Sequence, residues 1–247
     1  MAMTWKHTAA LLACVATLSA CSMVESAERM IESEDASDGG WSSSWSGEPF
    51  DRIALAGPDN LAFVTAAKHA VTASGDAKAL EELQYKVRDG ELRIRRKSSN
   101  WSMGNKGEAM IAVNAPALRA LSLAGSGAAK VDRMASDSVK LSIAGSGDAD
   151  IAQLVAKTLE GSIAGSGSIK LAGSADASDI SIAGSGSVLG EGFTSDTVDI
   201  SIAGSGDVTI ASDGAVDASL MGSGDVTVKG KAKCKSSAMG SGSINCG

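Results

Sequence analysis

The sequence predicts an all-β protein built as a parallel β-solenoid, a fold in which short coils of strand stack along one axis. Three observations predict it. A Gly-Ser-Gly motif recurs every 18–20 residues, apolar and polar residues alternate on both sides of that motif, and the composition has 29 glycines but only 3% aromatic residues. A core of Ala, Val, Leu and Ile cannot fill a wide interior at native packing density. A thin, stacked architecture is therefore favoured over a spherical one.

The repeated motif is the strongest signal in the chain. The first copy begins at Gly125, and the six that follow are spaced by 20, 20, 19, 20, 18 and 18 residues. A period near 20 that persists through seven copies is typical of solenoids. We expect the two glycines of each copy to form a tight corner, where a side chain would clash with the neighbouring coil. The predicted corner glycines are Gly125, Gly127, Gly145, Gly147, Gly165, Gly167, Gly184, Gly186, Gly204, Gly206, Gly222, Gly224, Gly240 and Gly242.

Apolar and polar residues keep the same places around every corner. The residue two before the first glycine is Leu, Ile or Ala, the residue three before it is always serine, and the residue four after it is Ala, Ile or Val. This two-residue period is that of strands with one buried face. Each coil is therefore predicted to contain a strand, a glycine corner, a second strand and a variable side of six to eight residues. Seven coils would span roughly 30 Å at the usual strand spacing.

The region before the repeats has its own strand and helix signals. Two alternating stretches, FDRIALAG and NLAFVTAAKHAVTASG, flank the turn sequence Gly-Pro-Asp-Asn. A short helix is expected after Asp76 as N-cap, with Leu80, Leu83 and Val87 on one face. Alternating residues on both sides of Asp89-Gly90 predict a β-hairpin.

The first residues are typical of an export signal. Lys6 is followed by an apolar stretch too short to span a membrane, and small residues precede a cysteine. The segment resembles a bacterial lipoprotein signal, whose lipobox is matched by Leu18, Ser19, Ala20 and Cys21. This resemblance implies that Cys21 becomes the lipid-modified first residue of the mature protein. The alternative is a soluble secreted protein cleaved near Ala20.

A polar, acidic segment follows the predicted signal and is expected to be a flexible tether. Trp41 and Trp45 near its end could stay in the tether or dock on the body. By the same resemblance, Ser22 in place of Asp after the lipid-modified cysteine favours the outer membrane, on its periplasmic or its surface side. The predicted division of the chain is a signal peptide at 1–20, a tether at 21–48, an N-terminal part of the domain at 49–115 and the repeat solenoid at 116–247.

Charge argues against a nucleic-acid partner. The formal net charge is −7, and removal of residues 1–20 takes away Lys6 and no acid, which makes it −8. The short basic run RIRRK, residues 93–97, lies in an alternating segment and is expected to be a solvated strand face.

Two cysteines remain once Cys14 leaves with the signal and Cys21 takes lipid. Cys234 lies six residues before the last corner and Cys246 six residues after it, and both fall at inward positions of the repeat. In an exported chain this arrangement predicts a Cys234–Cys246 disulfide that closes the last coil. Two buried free thiols are the alternative.

The serines inside the motif are not expected to be nucleophiles. A nucleophile elbow needs a glycine two residues before the serine, where this chain has alanines such as Ala124. A base is also missing, because His7 is lost with the signal and His69 lies outside the repeats. A ladder of hydroxyl groups that bond to backbone at the corners is the better account.

No metal or cofactor site is predicted. Asp148, Asp207 and Asp225 directly follow the motif, but Ala and Ser interrupt their column in other copies. A calcium-binding β-helix repeat would place an aspartate in each copy. These aspartates are therefore expected to be part of a solvated face, and no Cys/His cluster fits zinc.

The ordered features together resemble the family of the auto-transporter adhesin head domain, or head GIN domain. They run from about Phe50 to Gly247 through FDRIALAG, VTASGDAKALEELQYKVRDGELRIR, APALRALSLAGSG, the repeated SIAGSGD and the terminal cysteine pair. The resemblance implies a right-handed parallel β-solenoid. It implies no particular ligand, because no firm activity belongs to the family, and no translocator barrel segment is evident in the sequence.

The function predicted from the sequence is that of a non-catalytic, lipid-anchored protein of the cell envelope, a scaffold for adhesion or assembly. Its expected partners are the membrane through the lipid anchor, an envelope glycan or protein, and a second copy joined end to end at the exposed last coil. The alternative is a glycan-processing β-helix enzyme that works at the variable side or at the loop of Trp101.

Overall fold

Each glycine motif turns the chain between two strands, and equivalent strands of successive coils pair in parallel. A computed structural model describes residues 40–97 and 107–247. Before the corners, Gly145 pairs with Gly165 and Gly165 with Gly184. After the corners, Ala149 pairs with Ile169 and Ile169 with Val188. The all-β parallel solenoid predicted from the repeat is confirmed.

The elements follow one another along the described chain with one short helix. They are β1 (Arg52–Gly57), β2 (Asn60–Thr65), β3 (Ala70–Gly75), α1 (Ala77–Glu82), β4 (Leu83–Arg88), β5 (Glu91–Arg96), β6 (Ala109–Ala115), β7 (Ala120–Gly125), β8 (Ala128–Val131), β9 (Met134–Gly145), β10 (Asp148–Gly165), β11 (Ser168–Gly184), β12 (Ser187–Gly204), β13 (Asp207–Ala211), β14 (Ala215–Gly222), β15 (Asp225–Lys229), β16 (Lys233–Gly240) and β17 (Ser243–Cys246).

Two stacks of parallel strands meet at the corners. The leading stack, formed by the strands before the corners, has the order β5, β1, β7, β9, β10, β11, β12, β14, β16. The trailing stack, formed by the strands after the corners, has the order β6, β2, β8, β10, β11, β12, β13, β15, β17. The apolar residues that point inward from both stacks form one continuous core.

The third side of the central coils is also strand, which differs from the predicted variable segment. Strands β10, β11 and β12 continue around this side for 17 or 18 residues. Leu154, Ala175 and Phe193 point inward there and are buried. Because the side keeps inward apolar residues and pairs with its neighbours, it extends the sheet, and register shifts between paired strands absorb the differences in length.

The first corner of the solenoid is hidden in the sequence. Gly57 has a φ of +132° and pairs with Gly125, so β1 and β2 flank a corner equivalent to those of the repeats. The sequence predicts only a turn at this place. Pro58 and Asp59 replace the serine and the second glycine of the motif, and the motif is therefore not visible.

Antiparallel strands close the N-terminal end. Strands β5 and β6 lie outside β1 and β2, and they pair on their other side with β4 and β3 in antiparallel fashion. Asp89 and Gly90 both have positive φ in the turn between β4 and β5, which confirms the predicted hairpin. Ser42 then bonds to β4, its N–H donating to the carbonyl of Tyr85 at 2.9 Å and its carbonyl accepting from the Tyr85 N–H at 2.8 Å.

The helix α1 is shorter than the sequence pattern predicts. It ends at Glu82, and Leu83 and Val87 lie in β4. Leu83 and Tyr85 alternate into the core, and pairing with β5 supplies the backbone hydrogen bonds that a longer helix would have used. The Asp76 side chain does not cap the helix and accepts a bond from the Glu108 N–H at 3.1 Å instead.

The corner glycines have the conformation and the close contacts that the sequence predicts. Gly145 has a φ of +123°, and a Cβ atom there would overlap the carbonyl oxygen of Gly125 in the neighbouring coil. A Cβ at Gly147 would overlap the carbonyl oxygen of Gly127 in the same way. Close stacking of the corners therefore depends on the missing side chains.

The disulfide between Cys234 and Cys246 is present in the last coil. Cys234 pairs with Val216 and Cys246 with Val228, so the two cysteines continue the inward columns of the coil before. Val216 and Val228 are buried beneath them. The disulfide therefore joins the two arms of the last corner and covers the end of the core.

Replacing both cysteines with serine should lower the free energy of unfolding by about 3 kcal/mol, because the bond closes a short loop in the unfolded chain. The loss should appear first at the C-terminal end, since each coil contacts only its neighbours. Amide hydrogen exchange is the measurement: β16 and β17 should exchange faster while β11 keeps its protection. Equal exchange of β16 in both proteins would contradict the role of the disulfide.

Candidate functional site

The outward side of the leading stack is the candidate binding surface, named the polar face below. Because strand residues alternate between the two sides of a sheet, each coil presents the same three outward positions. The position next to the corner is Ala in most coils and Met in the last two. The serine column is Ser122, Ser142, Ser162, Ser181, Ser201, Ser219 and Ser237. The charged column is Lys140, Glu160, Asp179, Asp199, Asp217 and Lys235.

Two neighbouring serines of the column are joined through their hydroxyl groups, and backbone bonds join the corners. The Oγ atoms of Ser142 and Ser162 are 2.7 Å apart. At the corners, the Ser146 N–H donates to the carbonyl of Gly125 at 2.8 Å, and the equivalent bond recurs in the coils above. The corner bonds are therefore made by the serine backbone N–H groups, which differs from the predicted ladder of hydroxyl groups bonded to backbone.

No histidine is positioned to activate these serines among the described residues. His69, the one histidine in the described part, bonds through Nε2 to the backbone of Phe50, with its carbonyl oxygen at 2.8 Å. Its ring also packs edge-on against the Phe50 ring, with the centroids 4.9 Å apart. His69 therefore holds the start of the domain in place.

The charged column has lysines at its ends and carboxylates between them. The Nζ atom of Lys140 lies 2.6 Å from Oε1 of Glu160, and that of Lys235 lies 3.0 Å from Oδ2 of Asp217. Asp179 lies between Glu160 and Asp199 in register. Partial desolvation raises the pKa of Asp179, and the neighbouring charges of Asp199 and Glu160 raise it further.

Asp179→Asn should stabilise the protein slightly at pH 7, by no more than about 0.5 kcal/mol because solvent screens exposed charges. The pKa of Asp179 is higher in the folded than in the unfolded chain, so folding disfavours the charged form. Wild-type stability should rise as the pH falls through the folded pKa, and the gain of the variant should vanish below the ordinary carboxyl pKa of 3.8. Urea unfolding at several pH values measures this.

Asp217→Asn is the matched control for Asp179→Asn, because the Asp217 carboxylate has the ammonium group of Lys235 beside it. Its replacement should not stabilise the protein at pH 7. A gain in stability for Asp217→Asn equal to that for Asp179→Asn would show that repulsion within the column is not the cause.

The aspartates that directly follow the corners bond to the coil above them. Oδ1 of Asp148 accepts from the N–H and the hydroxyl of Ser168, at 3.0 and 2.5 Å. Asp225 accepts in the same way from Ser243, and these bonds lower the pKa of its carboxyl group. Their exposed position fits the expected solvated face, and the bonds give them a structural role between coils.

Aromatic and basic side chains meet at the closed N-terminal end. The ring of Trp41 lies 4.0 Å from the guanidinium carbon of Arg95 and 6.0 Å from Nζ of Lys86. Trp45 packs edge-on against Phe50, with ring centroids 6.1 Å apart. Of the two sequence alternatives, the structure therefore has both tryptophans docked on the body.

The basic run RIRRK is not wholly a solvated strand face, which corrects the sequence interpretation. Arg96 points into the first corner, where it lies half-buried beside the buried Asp59. Its Nε and one terminal nitrogen donate to the two carboxylate oxygens of Asp59 at 2.8 and 2.5 Å, and the same nitrogen donates to the Gly107 carbonyl at 2.9 Å. The Asp59 hydrogen bond raises the pKa of Arg96. Sequence periodicity could not find this pair, since its partners lie 37 residues apart.

Two residues that the sequence analysis singles out lie outside the part of the chain that the structure describes. Cys21 and Trp101 fall outside the described residues. Within residues 40–97 and 107–247, no group of three His, Cys, Asp or Glu side chains is arranged to hold a metal ion. None of the helices in this described part has the length and apolar character needed to cross a membrane.

Solved structures with the same fold come from Parabacteroides and Bacteroides species. A "putative lipid binding protein" from Parabacteroides distasonis is 23% identical, with a TM-score of 0.66, and the match covers 85% of this chain and 98% of that one. A "putative adhesin" from Bacteroides fragilis is 21% identical, with a TM-score of 0.71 over 81% and 94% of the two chains. A "putative adhesin" from Parabacteroides merdae is 19% identical, with a TM-score of 0.64 over 84% and 96%.

These identities establish the shared fold and nothing more specific. No curated protein matches the chain. A family model matches residues 49–232, from just before β1 to the loop before β16. The chain therefore belongs to the family described as "Putative auto-transporter adhesin, head GIN domain".

Proposed function

We propose that this protein is a non-catalytic, lipid-anchored protein of the cell envelope, whose solenoid is a scaffold for adhesion or assembly. The observation that carries the proposal is the polar face, where the same serine and charged positions recur in every coil from β9 to β16. The family description and the solved relatives support an adhesin-like role. Lipid anchoring and the outer membrane rest on the lipobox residues and on Ser22.

The polar face has properties suited to a long, repetitive ligand. Its serine and alanine side chains are short, so the surface is flat, and the hydrogen bonds between coils fix it before any ligand arrives. A rigid surface loses little conformational entropy on binding. A glycan or protein with a repeating structure could contact equivalent groups about 4.8 Å apart along the stack.

The position of the two ends fits anchoring at Cys21. Trp41 docks on the closed end of the solenoid, and nineteen residues separate it from the predicted lipid site. The closed end is therefore the end joined to the predicted anchor, and the last coil is the end farthest from it along the chain. The polar face would run between the two, exposed along its length.

Intact-mass measurement of the mature protein tests the anchor. We expect an N-terminus at Cys21 and the mass of a diacylglyceryl adduct, and Cys21→Ser should release the protein into the soluble fraction. A mature chain without the adduct would show a soluble secreted protein and would overturn the lipid anchor without affecting the binding proposal.

Sedimentation with envelope fragments tests the polar face. The soluble Cys21→Ser protein should sediment with them, and a Ser181→Arg, Ser201→Arg double substitution should abolish this because two long side chains would break the flat face. Thr209→Arg with Thr227→Arg is the control, since Thr209 and Thr227 pair on the trailing stack. Equal sedimentation of both variants would exclude the polar face as the binding surface.

Incubation with envelope and plant polysaccharides tests the alternative of an enzyme. We expect no turnover. Turnover that a single carboxylate substitution abolishes would overturn the non-catalytic proposal.

A further inference from the structure

The two ends of the solenoid differ in the state of their strand edges. At the N-terminal end, antiparallel β4 and β3 cover the parallel strands β5 and β6. At the C-terminal end, β16 pairs only with β14 and β17 only with β15 among the described strands. The N-terminal end is therefore covered by antiparallel strands, whereas the C-terminal end leaves the parallel strands β16 and β17 at its edge.

The open edge presents backbone hydrogen-bonding groups at regular intervals. The Lys233 N–H donates to the carbonyl of Gly214 in the coil before. In a parallel pair, alternate residues bond to the same neighbour. The backbone groups of Cys234, Ser236 and Ala238 therefore point away from β14, towards the open edge. An exposed edge of this kind is a template for an added strand.

A cluster of lysines surrounds this edge, named the lysine tip below. Its members, Lys229, Lys231, Lys233 and Lys235, are all solvent-exposed. Residues 171–228, in contrast, contain nine acidic residues and no Lys or Arg. The positive charge of this half of the chain is therefore concentrated at the open end.

Two members of the lysine tip have carboxylates beside them and two do not. Lys229 lies 3.5 Å from Glu191, and Lys235, with its side chain 86% exposed, lies 3.0 Å from Asp217. Lys231 and Lys233 form no ion pair with any residue of the described chain. Positive charge is therefore available at the edge for an incoming group.

We propose that the open edge at the lysine tip binds an acidic, extended peptide segment of a partner protein as an added β-strand. The solenoid itself shows the pairing that such a segment would make. A lysine and a carboxylate from adjacent strands meet in the charged column at Lys140 and Glu160. A parallel strand added to β16 with an acid at the same position would place it beside Lys235. The backbone groups of the edge provide the hydrogen bonds, and the lysines select for an acidic sequence.

A second copy of this chain fits the edge less well. At the N-terminal end a second copy would meet the antiparallel strands β3 and β4, so head-to-tail addition would not continue the parallel pairing of the solenoid. Two open edges could meet only tail to tail, which would bring two lysine tips together, and like charges across an interface disfavour association. Lysine on an edge strand is a known device against self-pairing. The charge of the tip therefore favours an acidic partner over a second copy.

Binding of two synthetic peptides tests the proposal on the Cys21→Ser chain. The acidic peptide copies residues 196–204, DTVDISIAG, and the basic peptide has lysine at both aspartate positions. We expect the chain to bind the acidic peptide about tenfold more tightly than the basic one at low ionic strength. The preference should reverse in a Lys233→Glu, Lys235→Glu variant. Fluorescence anisotropy of the labelled peptides measures both affinities.

Two controls separate this site from charge alone. Lys130→Glu with Lys170→Glu, on the trailing stack, should leave the preference unchanged. On peptide binding, amide exchange should slow at Ser236 and Ala238 and remain unchanged in β9.

Several outcomes would overturn the proposal. These are the lack of saturable binding, equal affinity for both peptides, and reversal by the control variant. The same conclusion would follow if analytical ultracentrifugation showed a tail-to-tail dimer of the wild-type chain. Tip-dependent binding to phosphatidylglycerol vesicles without peptide binding would point to a lipid surface instead. All these results are independent of the lipid anchor and of the serine column that the sedimentation experiment tests.

Discussion

Gly165→Val should lower the free energy of unfolding by about 4 kcal/mol or more, or prevent folding. Gly165 has a φ of +128°, which β-branched residues rarely adopt, and a Cβ atom there would overlap the carbonyl oxygen of Gly145. The backbone of one coil or both would have to move, and the inward residues on either side of the corner would lose their register. Guanidinium unfolding followed by circular dichroism measures the loss.

A second glycine of the same strand gives the matched control. Gly161 has no positive φ, and the nearest atoms to a Cβ there are 3.9 Å away. Gly161→Ala should therefore be neutral or stabilising by up to about 1 kcal/mol, because alanine restricts the unfolded chain. Similar losses for Gly161→Ala and Gly165→Val would mean that glycine content, and not the corner, determines stability. Ser166→Ala at the same corner should change stability by less than about 0.5 kcal/mol.

The position of the corner within the stack also predicts how the variant would unfold. Gly165 ends β10, which pairs with β9 on one side and β11 on the other. In a solenoid, each coil is stabilised by its neighbours, so a defect in a central coil weakens both interfaces. The equivalent change in the last coil, Gly240→Val, affects one interface only. It should therefore cost less, and this ordering would not hold for a protein with a single globular core.

The repeats could be predicted from the sequence because their signal is local. The inward residues, the flanking serine and the corner glycines recur at fixed offsets, so the alternation of one copy supports that of the next. The disulfide followed from the same register, because Cys234 and Cys246 occupy inward positions. The serine column of the polar face was visible for the same reason.

Features that depend on contacts between distant residues could not be predicted. The corner at Gly57 lacks the serine and the second glycine of the motif, and its pairing with Gly125 identifies it. The long strands on the third side follow from pairing between coils, since local propensity there is weak. Docking of Trp41 on Arg95 joins residues more than fifty positions apart. In each case the structure depends on a contact between distant elements. Such a contact produces no periodic pattern in the sequence.

Arg96→Met should lower the free energy of unfolding by about 3 kcal/mol, because it leaves a carboxylate buried without its counter-ion. The Asp59 side chain is 1% exposed and that of Arg96 11% exposed. Apart from Arg96, the Asp59 carboxylate accepts a bond from the Ala109 N–H at 2.9 Å. The pair therefore joins the first corner to the ends of β5 and β6.

A double-mutant cycle separates the pair from simple loss of packing. Asp59→Asn removes the charge and keeps an oxygen for the Ala109 N–H. If the loss in Arg96→Met comes from the unpaired carboxylate, adding Asp59→Asn should recover part of it. The sum of the two single losses in unfolding free energy should then exceed the loss in the double variant. Lys157→Met is the control, because Lys157 and Asp137 lie 3.1 Å apart with side chains 67% and 83% exposed, and it should cost less than about 0.5 kcal/mol. Strict additivity in the cycle would show that the Asp59–Arg96 ion pair does not hold the closed end together, and that aliphatic packing of the arginine accounts for the loss.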